Sequence, residues 1–279
     1  MTPIIEASAL LKLYKSDNLI IIDVSNGKEA KQHYTNKHLD TALFIDLNTQ
    51  LANIQEDFAN GGRHPLPKIE KFTETLKNTG ITQQSHVILY DDKNGANAAA
   101  RFWWMLKSIG HEKVQVLNGG IQQAEKIGFP TNNKTETPKV VETYKYDKWK
   151  LPIATINEVE ENVLKEDYIV IDVRENNRYR GESEPIDLVA GHIPGAVNVP
   201  FSTNLNSDGL FLSPNELKTK YQALFANMPP ENIIVHCGSG VTACHTLLAI
   251  DYAGLEIPKL YVGSWSEWSR NDKPIVKEM

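Results

Sequence analysis

The sequence predicts an α/β protein of two tandem domains, each a mostly parallel sheet flanked by helices. Three observations predict it. Four blocks of the first half recur in the second in the same order and at nearly constant spacing. Short continuous apolar runs such as Ile169 to Val173 and Ile233 to Val235 have the pattern of strands buried on both faces of a parallel sheet. These runs alternate with helical stretches, as βαβ units require. A repeat this long means tandem domains rather than a solenoid, and 279 residues suffice for two hydrophobic cores.

Taken in chain order, Leu19-Ile-Ile-Ile-Asp-Val-Ser25 is the first strand, and Tyr168-Ile-Val-Ile-Asp-Val-Arg174 is its repeat. His38-Leu-Asp-Thr-Ala-Leu-Phe-Ile45 recurs as His192-Ile-Pro-Gly-Ala-Val-Asn-Val199. Val87-Ile-Leu-Tyr-Asp91 recurs as Ile233-Ile-Val-His-Cys237, each followed by a small-residue turn and an apolar helix, the second containing Val241 and Leu247. Leu117-Asn-Gly-Gly-Ile121 parallels Tyr261-Val-Gly-Ser-Trp265. Thr155 to Lys165 is an amphipathic helix whose Thr-Ile-Asn-Glu start resembles a capping box. The polar stretch between the halves is long for an interior loop and reads as a linker. Its Tyr144, Tyr146 and Trp149 lay it on a surface. The expected boundaries are 1–130, a linker over 131–152, and 153–279.

Hydrophobic content of 41% and charged content of 23% are those of an ordinary soluble protein. A net charge of −6 argues against a general nucleic-acid or acidic-membrane binder. No apolar run approaches the roughly 18–20 residues that span a bilayer, and the N-terminus lacks a secretory pattern, so a cytoplasmic protein is expected. Of the two cysteines, Cys237 and Cys244, a shared helix would separate the pair by about 10 Å, whereas a disulfide needs Cα atoms within about 7 Å. Metal-type cysteine spacing is absent.

Cys237 follows a buried strand and precedes an apolar helix, the place where open α/β sheets bind ligands. Gly238 and Gly240 let the backbone curl so that several N–H groups point into one concavity. Such a nest at a helix N-terminus stabilises an anion, so Cys237 is expected to react as a thiolate without a histidine base. Cys244, inside the helix, is expected to be a core residue. A C-x5-R phosphatase loop would need arginine at position 243 to grip an oxyanion, and that position is Ala243.

Four segments together resemble the tandem-domain rhodanese family of thiosulfate and 3-mercaptopyruvate sulfurtransferases. They are Asp172-Val-Arg174, Gly191-His-Ile-Pro-Gly-Ala-Val-Asn-Val-Pro-Phe201, His236-Cys-Gly-Ser-Gly-Val-Thr-Ala-Cys244 and Gly263-Ser-Trp-Ser-Glu-Trp268. The resemblance covers essentially the whole chain. It implies a silent first domain, with Asp91 where the second has Cys237. It also implies that Cys237 carries sulfur as a persulfide between a small-molecule donor and a cyanide or thiol acceptor, thioredoxin among them. No metal or organic cofactor is implied, and a monomer is the default. A non-catalytic binding module of the same fold is the alternative of another class.

Within the resemblance, Gly238, Ser239, Gly240, Val241 and Thr242 form the loop that contacts the donor, and Ser239 serves the leaving oxygen or shuttles a proton. Ser239 is equally readable as a small loop residue. Arg178 matches the arginine that grips the substrate anion. Gly238-Ser239 points to mercaptopyruvate as donor. Ile186, where mercaptopyruvate enzymes carry a second arginine after a Glu-Pro pair, points toward thiosulfate. Asp46 and His64 match first-domain positions that approach the site across the domain interface, while Asn48 replaces a second carboxylate. His38 and His192 recur in both halves, as do Asp23 and Asp172, which suits structural hydrogen bonds better than catalysis in one half. Trp265 and Trp268 read as core or pocket wall.

Overall fold

A computed structural model describes residues 1–142 and 146–278. The expected placement of Tyr144 lies outside the described residues. By contact the chain divides into two compact units, and these do not follow the halves of the sequence. Unit 1 comprises residues 1–53, 67–150 and 207–211, and unit 2 comprises 54–66, 151–206 and 212–279. Each unit thus holds one short segment from the other's stretch of chain.

Unit 1 is built on β1 (Ile4–Ile5), β2 (Leu19–Asp23), β3 (His38–Leu39), β4 (Leu43–Phe44), β5 (His86–Tyr90), β6 (Val114–Leu117) and β7 (Thr131–Asn132). Five of these form a sheet in the order β1-β6-β5-β2-β4, every neighbour parallel. Unit 2 contributes β8 (Ile153–Ala154), β9 (Ile169–Asp172), β10 (Val197–Asn198), β11 (Ile233–His236) and β12 (Lys259–Tyr261). These lie in the order β8-β12-β11-β9-β10, again all parallel. The two orders superimpose strand for strand, so the sequence repeat is a fold repeat. In the centre of each sheet the apolar runs are buried throughout, as at Val87–Tyr90 and Ile233–His236. Each large apolar side chain so buried contributes about 1.5–3 kcal/mol.

The helix after each central strand is apolar on every face and lies in the core. Ala99–Ser108 buries Phe102, Trp103 and Trp104, and Ala243–Tyr252 buries Leu247, Leu248 and Ile250. The second of these begins at Ala243, so Val241 is a loop residue rather than the first apolar position of the helix. In the turn that precedes it Gly240, at φ +69°, lets the backbone press against Val262, whose carbonyl oxygen would lie 2.4 Å from a Cβ. The helix expected over 155–165 is shorter, Ile156–Asn162, with Thr155 Oγ1 accepting from the Glu158 amide at 3.2 Å.

The stretch expected as linker is fastened to unit 1. Thr131 and Asn132 pair antiparallel with Leu39 and His38, the Lys150 amide donates to Ser108 O at 2.7 Å, and the Trp149 ring lies 5.2 Å from Phe72. His38 and His192 have matching structural surroundings. His38 Nδ1 lies 2.7 Å from Tyr34 O with the rings stacked at 4.1 Å, and His192 Nδ1 lies 2.8 Å from Tyr179 O with the rings at 3.8 Å. In both units a stacked Tyr–His pair ties the helix that follows the second strand to the segment beyond it. No helix among the described residues is long and apolar enough to cross a membrane.

Candidate active site

The loop after the central strand takes the same place in both units, and in unit 1 its hydrogen bonds can be followed directly. Asp91, fully buried, directly follows β5. Its Oδ1 accepts from the amides of Lys93 and Gly95 at 2.9 and 2.8 Å, and its Oδ2 from those of Asn97 and Ala99 at 3.1 and 3.2 Å. Burial pushes the carboxyl up to about 6 while the amides pull it down, so at neutral pH it is an anion inside a nest of N–H donors. In unit 1 the turn at this place in the fold is an anion cradle, filled by the chain's own carboxylate.

Cys237 occupies the corresponding position in unit 2, directly after β11, and is buried. The carbonyls of Cys237 and Gly238 accept from the amides of Trp265 and Ser266 at 3.0 and 2.9 Å. In a trans peptide the N–H points opposite to the carbonyl. The Gly238 and Ser239 amides are therefore turned away from the helix Ser264–Trp268. The amide of Cys237 itself donates to Ser264 Oγ at 3.2 Å, and the Ser264 hydroxyl donates in turn to Tyr261 O at 2.8 Å. Ser264 sits at φ 53°, where a non-glycine residue is strained, as active-site residues often are. The matching position in unit 1 is Gly120, at φ 59°.

Further along the loop, Val241 O and Thr242 O accept from the amides of Cys244 and His245 at 3.1 and 3.0 Å, starting the helix. Cys244 Sγ donates to Gly240 O at 3.4 Å inside the core. Ser239 Oγ meets His64 Nδ1 at 2.8 Å. His64 belongs to segment 54–66 and so to unit 2 itself. That segment is also tied down through its backbone. Gly61 N donates to Glu267 Oε1 at 2.8 Å, Arg63 N to Ser266 Oγ at 3.0 Å, and Asn271 Nδ2 to Ala59 O at 2.9 Å. Asp46 lies in unit 1, where its carboxylate caps the helix Leu47–Gln50 by accepting from the Thr49 amide and hydroxyl, both at 2.8 Å.

Arg178, on the helix Asn176–Arg180, does not present an empty fork. Its Nε and Nη2 bind Glu184 at 3.1 and 2.7 Å, which leaves Nη1 for another acceptor. Burial pushes Glu184 up, but hydrogen bonds from Arg178 and the amides of Asp187 and Ile186 hold it below the usual carboxylate range. Asp187 joins three guanidiniums: Arg63 Nε at 3.1 Å, Arg270 Nη1 at 3.1 Å and Arg178 Nη2 at 3.6 Å. Arg174 chelates Asp172 through Nε at 3.0 Å and Nη2 at 2.6 Å, reaches Glu184 at 3.3 Å, and lies over the Trp265 ring. Four arginines thus face three carboxylates beside the Cys237 loop. His236 adds no charge, because burial lowers its pKa despite the nearby Asp172. Glu267, on the helix Ser264–Trp268, adds a fourth carboxylate to this network through the Gly61 amide.

Of the residues named from the sequence, Ser239 and His64 meet beside Cys237 and Arg178 pairs with Glu184, while Arg63, Glu184, Asp187 and Ser264, which the structure brings to the same place, were not singled out. Arg63 was visible as the neighbour of His64, and Ser264 as the serine that replaces a glycine of the first repeat.

A scan against family models matches the rhodanese-like domain twice, over residues 6–126 and 155–271. The chain is 36% identical over 271 residues to a probable 3-mercaptopyruvate sulfurtransferase of Pseudomonas aeruginosa, covering 95% of this chain and 94% of that one. It is 34% identical over 265 residues to the thiosulfate sulfurtransferase of Rattus norvegicus, covering 92% and 87%. Among solved structures, the 3-mercaptopyruvate sulfurtransferase from Leishmania major matches with a TM-score of 0.81 and 26% identity, over 95% of this chain and 74% of that one. With two matched domains, one repeated sheet order and relatives that are sulfurtransferases along nearly the whole length, the chain belongs to the rhodanese-like family as a tandem-domain sulfurtransferase.

Proposed function

We propose that this protein moves a sulfur atom from 3-mercaptopyruvate to a thiophilic acceptor, cyanide or a thiol, through a persulfide on Cys237. The observation that carries the reading is the cradle. Four amides bind a carboxylate at Asp91, and Cys237 stands at the same point of the repeated loop. A thiolate there attacks the donor's sulfur. The donor's C–S bond breaks, its electron pair moves to the carbon as an enolate, and the thiol proton completes pyruvate while the sulfur stays on Cys237. An acceptor nucleophile then takes the outer sulfur and returns the thiolate. Splitting one transfer into two in this way is covalent catalysis with ping-pong kinetics. Ser239, paired with His64, serves the leaving oxygen as donor and proton shuttle. Arg178 Nη1 takes the donor's carboxylate.

Thiosulfate is the second reading, favoured by the several guanidiniums beside the loop, since a compact dianion gains from each. The reading includes a cytoplasmic monomer that can discharge to thioredoxin, in keeping with two free cysteines in a reducing compartment.

Intact mass measured after exposure to each donor tests the proposal. One added sulfur on the wild type and none on Cys237→Ser supports it. No added sulfur from either donor leaves the non-catalytic binding module. The ratio of kcat/KM for the two donors then decides between them.

A further inference from the structure

We infer that Lys220 is an acylation site, a lysine whose nitrogen takes an acyl group from thioesters. The site lies apart from the sulfur-transfer chemistry and uses none of its residues. On the helix Pro214–Phe225 the buried positions Leu217, Tyr221 and Phe225 form one apolar stripe, and Lys220 sits at its border. The ordinary partner of a helical lysine is a glutamate four residues earlier. Here that residue is Glu216, whose carboxylate turns back to the cap and accepts from the Ser213 amide and hydroxyl at 2.9 and 2.6 Å. Lys220 Nζ turns instead to Thr203 Oγ1 at 2.6 Å and Asn204 Oδ1 at 2.8 Å, and lies 5.1 Å from the centre of the Tyr221 ring. Both of its acceptors are neutral. Lys37, Lys259 and Lys273, by contrast, are held as ammonium ions by Glu125, Glu158 and Glu160 at 2.6, 2.5 and 2.5 Å.

The geometry around Lys220 suits an amine better than an ammonium. Thr203 gives its own proton to Pro200 O at 2.7 Å, so its oxygen can only accept from Lys220. Asn204 is fixed too, its Oδ1 also accepting from the Tyr221 hydroxyl and its Nδ2 donating to Thr246 Oγ1 at 3.3 Å. An amine has two hydrogens for these two acceptors and keeps its lone pair for an electrophile, whereas an ammonium carries a third hydrogen. Burial brings Lys220 down to about 8, and such desolvation is how lysine nucleophiles are activated. Thr203 is exposed and Lys220 half-buried, so a small acyl donor reaches the nitrogen. The lone pair attacks the acyl carbon, the C–S bond breaks with its electron pair going to sulfur, and the proton shed by nitrogen completes the thiol.

The test treats the whole protein with S-acetyl-N-acetylcysteamine, a small uncharged thioester, and follows each lysine by peptide mass. At about pH 7.5 an amine titrating near 8 is about a quarter neutral, against about one part in a thousand for an ordinary lysine, and its weaker basicity gives back part of that advantage. Lys220 should therefore acetylate about 10-fold faster than Lys37, Lys259 and Lys273. Its rate should level off above about pH 8.5 while theirs keep climbing. Thr203→Asp sets a carboxylate beside Nζ and should slow Lys220 about 10-fold at the same pH. Lys220 reacting no faster than the paired lysines, or climbing with pH as they do, overturns the inference, as does an unchanged rate in folded Thr203→Asp. The wild-type comparison needs no variant, so a misfolded Thr203→Asp would not shield the inference.

Discussion

Ser264 Oγ holds the backbone amide of Cys237 at 3.2 Å while Ser264 itself sits at φ 53°. The conformation costs about 1–3 kcal/mol in a residue with a Cβ, so the hydroxyl is retained against a backbone preference for glycine. Ser264→Ala keeps the strain and loses both hydrogen bonds, and is expected to lower stability by about 1–2 kcal/mol. Ser264→Gly relieves the strain and should cost less. Both should load sulfur onto Cys237 several-fold more slowly in a single-turnover measurement. Wild-type loading in both would reduce Ser264 to a packing residue.

His64 and Ser239 form a pair at 2.8 Å and are expected to act as one unit. His64→Ala and Ser239→Ala should each lower kcat for 3-mercaptopyruvate by about 10- to 100-fold, in the range of a lost proton-transfer partner. The double variant should be little worse than either single one. Additive losses in the double-mutant cycle would separate the two residues.

Asp91→Ala removes the acceptor of four amides at once, three of them buried. Unfolding in urea should show a loss of about 3 kcal/mol or more, since each unsatisfied buried donor costs about 1–3 kcal/mol and water recovers part of it. Sulfur loading at Cys237 is the control, and should be retained wherever the variant is folded.

His236 makes stability depend on pH. Burial lowers its folded pKa beneath the ordinary 6.5, so in the window below 6.5 the unfolded chain binds a proton that the folded one refuses. Stability is therefore full above pH 6.5 and falls as the pH drops through it, by up to about 1.4 kcal/mol per pH unit. His111, lowered by burial in unit 1, has the same sign. Urea midpoints taken between pH 5 and 7.5 should slope less steeply in His236→Asn than in the wild type. Parallel slopes would remove His236 as a source.

The duplicated sheets were legible because strands buried on both faces advertise themselves as unbroken apolar runs, and because Asp91 and Cys237 mark the same turn. Cys237 was legible from its strand–turn–helix setting. What stayed hidden has a common physical cause. Arg63 is assigned by a contact across more than a hundred residues, to Asp187, and no local pattern encodes such a contact. Arg178 looked like an open fork because Glu184 completes it only once the chain has turned at Gly181. The short helix at Ile156–Asn162 and the loop position of Val241 show the usual uncertainty of element ends.

Segment 54–66 has a consequence for the history of the gene. A duplication begins as two copies, each able to fold from its own sequence and each dispensable. Once one copy lends a segment that the other must contain to be whole, and receives residues 207–211 in return, the pair can no longer be divorced. Breaking the gene between the repeats, or recombining either repeat into another protein, would yield a half that lacks part of its own body. Neither copy is expendable to the other.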